Sequence, residues 1–229
     1  MPNDQEKEAA ARASLRFVRD GDIVGLGSGS TAACAIRLLG DKVKAGLRIR
    51  GIATSVRSQE LAASLGIPII TFDECQQLDV AIDGADEIDP QLCLIKGGGG
   101  ALLREKVVAS AARQFVVIAD SSKQVSLLGK FPLPVEVIPF AQILVARRIT
   151  ALGAAVNLRK SPQGNPYTTD EGHHILDCTF GQIPDPAALA RVLSDMPGVV
   201  EHGLFIGMAN VVLIGKGDKV LELSPTTKT

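Results

Sequence analysis

The sequence predicts an α/β protein built around a doubly wound, mostly parallel sheet, with a second and smaller α+β domain. Up to Lys130, short apolar runs alternate with amphipathic helical patterns, which is typical of a Rossmann-like sheet. Beyond Lys130 the predicted order becomes strand, helix, strand, strand, helix, strand, which is the order of a ferredoxin-like unit. We therefore predict a Rossmann-like catalytic domain formed by residues 1–130 and 206–229, and a small domain at 131–205.

The composition restricts the class of protein. The chain has 229 residues, of which 46% are hydrophobic and 21% charged, as in ordinary globular proteins. A net charge of −1 provides no broad basic surface, so we expect no nucleic-acid partner. The polar N-terminus is unlike a signal peptide, and no apolar run approaches the ~20 residues of a membrane span. The four cysteines are scattered without a CxxC pair, so we expect reduced thiols, no zinc site and a cytoplasmic protein.

Each predicted element follows from the period of its apolar residues. In the first domain the predicted helices are 5–19, 32–39, 58–65 and 99–113, and the predicted strands are 23–26, 48–53, 67–71, 78–82 and 115–119. After a proline-containing linker at 131–134, the small domain has predicted strands at 135–140, 154–160, 174–180 and 199–205 and helices at 141–152 and 185–196. A last strand at 209–214 is expected to return to the main sheet.

The turn Gly27-Ser28-Gly29-Ser30-Thr31 lies between the first predicted strand and the next helix. Such a glycine-rich turn directs backbone N–H groups and the positive end of a helix at one point, which suits a phosphate. The alternative is a tight turn in which Ser or Thr caps the helix. The turn is neither a complete GxGxxG fingerprint nor a P-loop, because no GK[ST] follows.

Polar turns follow four of the predicted parallel strands. These turns are Ser28–Thr31, Thr54-Ser55, Asp83–Glu87 and Asp120–Lys123. Because ligands of a doubly wound sheet bind beyond the carboxyl ends of its strands, we expect these turns to meet at one edge. Lys123 alone would be an unremarkable surface lysine.

Glu105 is the strongest candidate base. At 100° per residue it lies among Ala101, Leu102, Val108 and Ala109, in the middle of an apolar arc. A carboxylate in such a position faces a cleft or is paired from elsewhere, and desolvation would raise its pKa toward that of a general base. The alternative is an exposed glutamate between two basic neighbours.

The segment before Glu105 adds an acidic turn and a lysine. Aspartates commonly stabilise turns, which is sufficient to explain Asp89-Pro90, and no histidine or matched oxygen ligands support a metal site. Lys96, by contrast, ends an apolar segment directly before four glycines. A lysine in that position suits a cation held against a developing oxyanion.

Several motifs together resemble ribose-5-phosphate isomerase, type A. They are GLGSGST at 25–31, DGADEID at 83–89, KGGGGALLREK at 96–106, KFPLPVEVIPFA at 130–141 and NPYTTDEGHHILD at 165–177, with a lysine at 123. The resemblance covers nearly the whole chain. It departs from the family in Ser28, where Thr is frequent, and in His173-His174.

The resemblance implies interconversion of D-ribose 5-phosphate and D-ribulose 5-phosphate in the non-oxidative pentose phosphate pathway, without metal or organic cofactor. It implies that Glu105 is the base, that Lys96 stabilises the enediolate oxyanion and that Asp83, with Asp86 beside it, assists ring opening. It also implies a homodimer or homotetramer. The residues it implies for holding the substrate and its phosphate are Ser28, Gly29, Ser30, Thr31, Gly84, Ala85, Gly97, Gly98, Gly99, Lys123 and, more weakly, Lys7.

Two other classes of protein remain open at this point. A CoA-transferase of related fold would use Glu105 as a nucleophile, but it would have no use for the Asp83/Asp86 pair. A sugar-phosphate-sensing regulator would need a DNA-binding module, and the chain offers only a short, non-basic N-terminal helix.

Overall fold

The computed structural model describes residues 2–225, which contain all the elements named below. The α-helices are α1 Pro2–Ser14, α2 Ser30–Lys44, α3 Val56–Ser64, α4 Leu102–Ala111, α5 Gln142–Ala151 and α6 Pro186–Ser194. The strands are β1 Ile23–Leu26, β2 Arg50–Ala53, β3 Leu78–Asp83, β4 Glu87–Ile88, β5 Leu94–Ile95, β6 Ala112–Asp120, β7 Leu133–Val137, β8 Ala155–Leu158, β9 His174–Thr179, β10 Val199–His202, β11 Leu204–Phe205, β12 Val211–Lys216 and β13 Lys219–Leu223. Short 3₁₀ turns occupy Leu15–Phe17, Ser121–Lys123 and Pro139–Ala141.

The chain divides into two compact units. Of the described residues, the first unit comprises 2–85, 104–123 and 207–225, and the second comprises 86–103 and 124–206. The second unit thus contains the predicted small domain at 131–205 and also the segment that carries Lys96 and the glycines. The domain boundaries predicted from the sequence stay a prediction.

The first unit is built on a six-stranded sheet in the order β13-β12-β6-β3-β1-β2. All neighbouring strands are parallel except β13, which pairs antiparallel with β12. Val24 and Leu26 of β1 belong to a buried cluster with Ala35 and Ile36 of α2. Gly25, between them, points to the opposite face, where a methyl group would lie 2.6 Å from Val108 Cγ1 of α4. Helices therefore cover both faces of the sheet, as in a doubly wound fold.

The order of the strands reverses at β1. The chain passes from β1 to β2 on one side, and later returns to place β3 on the other side of β1. In open α/β sheets such a reversal leaves a space beyond the carboxyl ends of the two central strands, where ligands bind. In this sheet those ends are followed by Gly27 and by Gly84.

The second unit has a four-stranded antiparallel sheet in the order β10-β7-β9-β8. With α5 between β7 and β8 and α6 between β9 and β10, this is the ferredoxin-like arrangement that the sequence predicted. Its core contains Val135 and Val137 of β7, Val145 and Ile149 of α5 and Leu193 of α6. Strands β11, β5 and β4 form a separate three-stranded sheet, in which β5 ends at Ile95, directly before Lys96 and the glycine-rich segment.

Two predicted strands differ from the structure for identifiable reasons, and one strand of the structure was not predicted. The predicted strand 67–71 is only an isolated bridge at Ile69, because Pro68 has no N–H to donate to a ladder. The predicted strand 199–205 is divided at Gly203, where a Cβ atom would lie 2.3 Å from the Lys96 carbonyl oxygen. β13 was not predicted, although Gly217-Asp218 before it is a hairpin signal. Within the described residues, no helix combines the length and the apolar character that crossing a membrane requires.

Candidate functional site

The Asp83 carboxylate fixes the two central loops of the first unit. Asp83 ends β3 and is 2% exposed. Its Oδ1 accepts hydrogen bonds from the backbone N–H groups of Ser28 at 2.9 Å and Gly84 at 2.7 Å. A methyl group on Gly27 would lie 2.2 Å from the same oxygen, so only glycine allows β1 to approach so closely. The loop after β1 is therefore positioned by the carboxylate at the end of β3.

Hydroxyl groups form a connected cluster beside this loop. Ser28 Oγ lies 2.8 Å from Thr54 Oγ1 and donates to Ser55 Oγ, also at 2.8 Å. Ser55 Oγ donates to Ser58 Oγ at 3.0 Å, and Ser58 Oγ donates to the Gly27 carbonyl at 2.7 Å. The loops after β1 and β2 are thus held together by neutral groups that can each donate and accept.

The N-terminus of α2 is preceded by a glycine. Gly29 is the N-cap residue and has φ 91°, and no side chain of the described residues caps the helix. Ser30 is exposed and Thr31 half-buried in the first turn. The alternative in which Ser or Thr caps this helix is therefore wrong, and the anion site at this helix end stays a prediction.

Glu105 is buried, as the apolar arc predicted. It lies in the first turn of α4 and is 5% exposed, with Leu102, Val108 and Ala109 buried on the same side of the helix. The alternative of a solvent-exposed glutamate is wrong. A carboxylate in this environment is shielded from bulk water, which favours its use in proton transfer.

Two lysines proposed for phosphate binding lie near the carboxyl edge of the first unit. Lys123 is the last residue of the 3₁₀ turn after β6 and is half-buried. The turn is tied to α1 because Glu6 Oε2 accepts from Ser121 N at 3.0 Å and from Ser121 Oγ at 2.7 Å. Lys7, the next residue of α1, lies 3.9 Å from Asp4 and is also half-buried.

Lys96 of the second unit is a buried cation. Its side chain is 2% exposed, and Nζ lies 5.4 Å from the centroid of the Phe205 ring. Its backbone N–H donates to the Gly203 carbonyl at 2.9 Å. The expectation that Lys96 is not a solvated surface charge is confirmed. Water screens a buried charge little, so it would act strongly on a nearby oxyanion.

Asp86 of the second unit is bonded to the glycine segment. Asp86 Oδ2 accepts from the backbone N–H of Gly98 at 2.7 Å. A Cβ atom on Gly98 would lie 2.7 Å from Asp86 Oδ1, so this close approach also requires glycine. Gly97 is buried and has φ 100°, whereas Gly99 is exposed.

The other two acids of the motif stabilise turns. Glu87 is 3% exposed and accepts from Gly129 N at 2.7 Å and from Phe131 N at 2.6 Å. Asp89 Oδ1 accepts from Gln91 N and Cys93 N, at 2.9 and 2.8 Å, as expected for an aspartate before proline in a turn. Within residues 2–225 no group of three or more His, Cys, Asp or Glu side chains is arranged to hold a metal ion.

Comparison with known proteins identifies the family. Residues 50–219, more than half of the chain, match the family model of ribose 5-phosphate isomerase A (phosphoriboisomerase A). The chain is also 51% identical over 230 residues to ribose-5-phosphate isomerase A of Parvibaculum lavamentivorans, covering 97% of this chain and 100% of that protein. The chain belongs to the ribose-5-phosphate isomerase A family.

Solved structures of this family have the same fold. A D-ribose-5-phosphate isomerase in complex with phospho-erythronic acid has a TM-score of 0.95 at 40% identity, covering 98% of this chain and 100% of that chain. Ribose 5-phosphate isomerase A from Methanocaldococcus jannaschii has a TM-score of 0.91 at 42% identity, covering 95% and 97% of the two chains. The predicted family and fold class are confirmed, and neither the CoA-transferase nor the regulator alternative is favoured.

The structure divides the predicted site residues between its two units. The first unit brings together Ser28, Asp83 and Gly84 through direct hydrogen bonds, and it also carries Gly29, Ser30, Thr31, Ala85, Glu105, Lys123 and Lys7. The second unit joins Asp86 to Gly98 and carries Lys96, Gly97 and Gly99.

Three residues around the glycine segment were not predicted as site residues. Arg159, just beyond β8, and Tyr167 bond to its carbonyl groups, and Asp177 pairs with Arg159. Tyr167 and Asp177 lie in the NPYTTDEGHHILD motif, which resembles the family but did not indicate a role for either residue. No periodicity or spacing connects Arg159 with Gly97 and Gly98, which lie 62 and 61 residues earlier in the chain.

The Glu6 carboxylate holds the 3₁₀ turn that ends at Lys123 against α1, and its contribution to stability can be tested. Hydrogen bonds from Gly217 N–H and then from Ser121 lower the pKa of Glu6 below its ordinary value of 4.5. A carboxyl group whose pKa is lowered by folding stabilises the protein above its unfolded pKa, and this stabilisation is lost as the pH falls through the folded pKa. We expect Glu6→Gln to lower the urea midpoint at pH 7, and the difference from the unmodified chain to shrink below about pH 4.5.

Urea unfolding of Glu8→Gln is the matched control, because Glu8 is an exposed acid on the same helix and pairs with the exposed Arg12. Equal effects of the two substitutions, or a difference for Glu6→Gln that does not change with pH, would contradict the anchoring role.

Proposed function

We propose that this chain interconverts D-ribose 5-phosphate and D-ribulose 5-phosphate by moving a proton between C1 and C2 through an enediolate, without a metal ion. Membership of the isomerase A family over nearly the whole chain supports the substrate and the reaction. The observation that carries the mechanism is that the acid and the cation required for proton abstraction beside a carbonyl, Glu105 and Lys96, are both buried. The reaction belongs to the non-oxidative pentose phosphate pathway.

Glu105 is the base that transfers the proton, and Lys96 stabilises the enediolate oxygen. An oxyanion that develops near a buried ammonium is stabilised in the transition state more than the neutral carbonyl is in the ground state, which lowers the barrier. The packing of Lys96 Nζ over the Phe205 ring places part of its charge against an aromatic face and limits its contact with water.

Asp83 and Asp86 assist ring opening of the sugar. This step needs a carboxylate in a fixed orientation, because it moves a proton between specific ring and hydroxyl oxygens. The two N–H groups that bind Asp83 Oδ1, and the Gly98 N–H that binds Asp86 Oδ2, restrict the rotation of each carboxylate. Gly84 and Ala85, which separate the two acids in the chain, contribute backbone groups to substrate binding.

The phosphate is bound by the N-terminus of α2 and by lysines. Ser28, Gly29, Ser30 and Thr31 offer hydroxyl and backbone donors at a helix end, where the macrodipole favours an anion. Lys123 adds a positive charge, and Lys7 is a weaker candidate. The backbone of Gly97 to Gly99 contacts the sugar. Phospho-erythronic acid, the ligand in the related structure, is an acid analogue suited to probing this site.

Replacement of Glu105 by glutamine tests the mechanism. General-base catalysis contributes about 10²- to 10⁴-fold, so we expect the kcat of Glu105→Gln to fall by at least about 10²-fold. Its affinity for phospho-erythronic acid, measured by calorimetry, should change little, because only the proton acceptor is lost. Turnover of the unmodified chain should be the same with and without EDTA.

Glu60→Gln, an exposed glutamate on α3, is the matched control and should retain full activity. Near-normal turnover of Glu105→Gln would remove Glu105 from the mechanism. Saturable binding by an unmodified chain without turnover would instead favour a sugar-phosphate sensor.

We further propose a homodimer or homotetramer that uses an apolar patch at the start of α5. Phe140, Ile143 and Leu144 are 97%, 73% and 51% exposed, and together they form an apolar surface of the kind that marks interfaces. We place the protein in the cytoplasm, since its substrates are sugar phosphates of central metabolism.

Light scattering during gel filtration tests the oligomer. We expect the unmodified chain to have at least twice the mass of one chain, and Phe140→Asp to shift it toward one chain because a carboxylate is costly to bury in an apolar interface. Leu221→Asp, on the edge strand β13, should keep the larger mass. An unmodified chain that is monomeric, or a Phe140→Asp variant of unchanged mass, would contradict the proposal.

A further inference from the structure

The carbonyl groups of the glycine segment are held by one arginine of the second unit. Arg159 Nη1 donates to the Gly97 carbonyl at 3.0 Å and to the Gly98 carbonyl at 3.1 Å. The other edge of the guanidinium donates two hydrogen bonds to the Asp177 carboxylate, from Nε to Oδ2 at 3.0 Å and from Nη2 to Oδ1 at 2.5 Å. The arginine side chain is 15% exposed. The guanidinium therefore joins the sheet of the second unit to the turn that follows Lys96.

We propose that Arg159, oriented by Asp177, is a positioning residue for the isomerase reaction, which it serves by fixing the direction of two peptide groups in the glycine segment. This inference rests on the proposed function, because it concerns residues assigned there to the substrate. Arg159 acts through Asp86 and the loop backbone, and does not itself bind the sugar phosphate.

The geometry of the peptide bond provides the mechanism. In a trans peptide the C=O of one residue and the N–H of the next point in opposite directions. When Arg159 holds the Gly97 carbonyl, the Gly98 N–H must point away from the guanidinium, and in that direction it donates to Asp86 Oδ2 at 2.7 Å. When Arg159 holds the Gly98 carbonyl, the Gly99 N–H is likewise directed away from the arginine.

A run of glycines needs such a clamp. Glycine adopts positive and negative φ with similar ease, so a peptide between two glycines can reverse its direction at little cost. Gly97 and Gly100 have φ 100° and 85°, and Gly98 lies between the Arg159 guanidinium and the Asp86 carboxylate. Without the guanidinium, either carbonyl could turn toward the substrate side and direct its negative end at the reacting oxygens.

The surroundings make Arg159 a rigid support. Its backbone N–H donates to Ile175 O of β9 at 2.8 Å, and its carbonyl accepts from Tyr167 N at 2.9 Å. The Tyr167 ring packs against Gly100, where a Cβ atom would lie 2.4 Å from the hydroxyl oxygen. The planar guanidinium can bind one carboxylate and two carbonyls simultaneously, which a lysine ammonium cannot do in the same geometry. Because Asp177 offsets its charge, Arg159 is poorly suited to binding a phosphate directly.

Steady-state kinetics of Arg159→Ala, Arg159→Lys and Asp177→Asn test this inference, with Arg191→Ala as the control on an exposed face of α6. Misplacement of a reacting group by about 1 Å costs roughly 10²-fold, so we expect kcat to fall about 10- to 100-fold in both Arg159 variants. Asp177→Asn should lower kcat by a smaller factor, since it keeps one acceptor oxygen. The KM and the affinity for phospho-erythronic acid should stay within about threefold, and Arg191→Ala should resemble the unmodified chain.

Chemical rescue separates positioning from simple support of the fold. Millimolar methylguanidinium should restore part of the kcat of Arg159→Ala, because the alanine leaves room for the cation between Asp177 and the two carbonyls. If Arg159→Ala does not fold, the kcat and KM of Arg159→Lys and Asp177→Asn decide the question.

The opposite results are equally clear. Wild-type kcat in the Arg159 variants would overturn the inference, and so would a raised KM and weaker ligand binding at unchanged kcat, which would assign Arg159 to direct substrate binding. A kcat loss that methylguanidinium does not restore, accompanied by a lower urea midpoint, would assign it to folding alone. Failure of the proposed function is a separate result, because the unmodified chain would then not turn over ribose 5-phosphate.

Discussion

The hydrogen bonds to Asp83 are the constraint on which the candidate site residues of the first unit depend. One carboxylate oxygen receives the N–H groups of Ser28 and Gly84, so the loops after β1 and β3 are fixed to each other where the strand order of the sheet reverses. Glycine at position 27 is required by this contact, because any side chain would occupy the space of the carboxylate. The same interaction therefore orients a proposed catalytic acid and sets the start of the loop that leads to α2.

The second unit has the same kind of contact between a carboxylate and the backbone at Asp86. Its carboxylate also accepts a backbone N–H, that of Gly98, and the glycine again has no space for a side chain. In both units an aspartate carboxylate that could otherwise rotate is held by hydrogen bonds from backbone N–H groups. Ordering these short side chains costs little conformational entropy. Glu105 of the first unit and Lys96 of the second are each buried, so water would screen the charges proposed for them less than it does at the surface.

The sequence was sufficient for the elements whose signal is local. The apolar arc around Glu105, the alternation of strands and helices and the order of the small domain could all be read from periodicity. Side-chain contacts between distant segments could not, because Ser58 joins the hydroxyl cluster, and Arg159 the glycine segment, only after folding. Pro68 shows a related limit, since the apolar run around it predicts a strand, whereas proline has no N–H to donate to a ladder and the segment forms an isolated bridge at Ile69.

The central claim is that a proton moves between C1 and C2 through an enediolate. The most direct test is to incubate the unmodified chain with ribose 5-phosphate in D₂O until the two sugars reach equilibrium, and to record the NMR spectrum of the product. Transfer by an acid such as Glu105 predicts deuterium at C1 of ribulose 5-phosphate, because a carboxylic acid exchanges its proton with solvent. A product that takes up no deuterium, and whose C1 therefore carries the hydrogen from C2 of the substrate, would indicate a hydride shift and contradict the account.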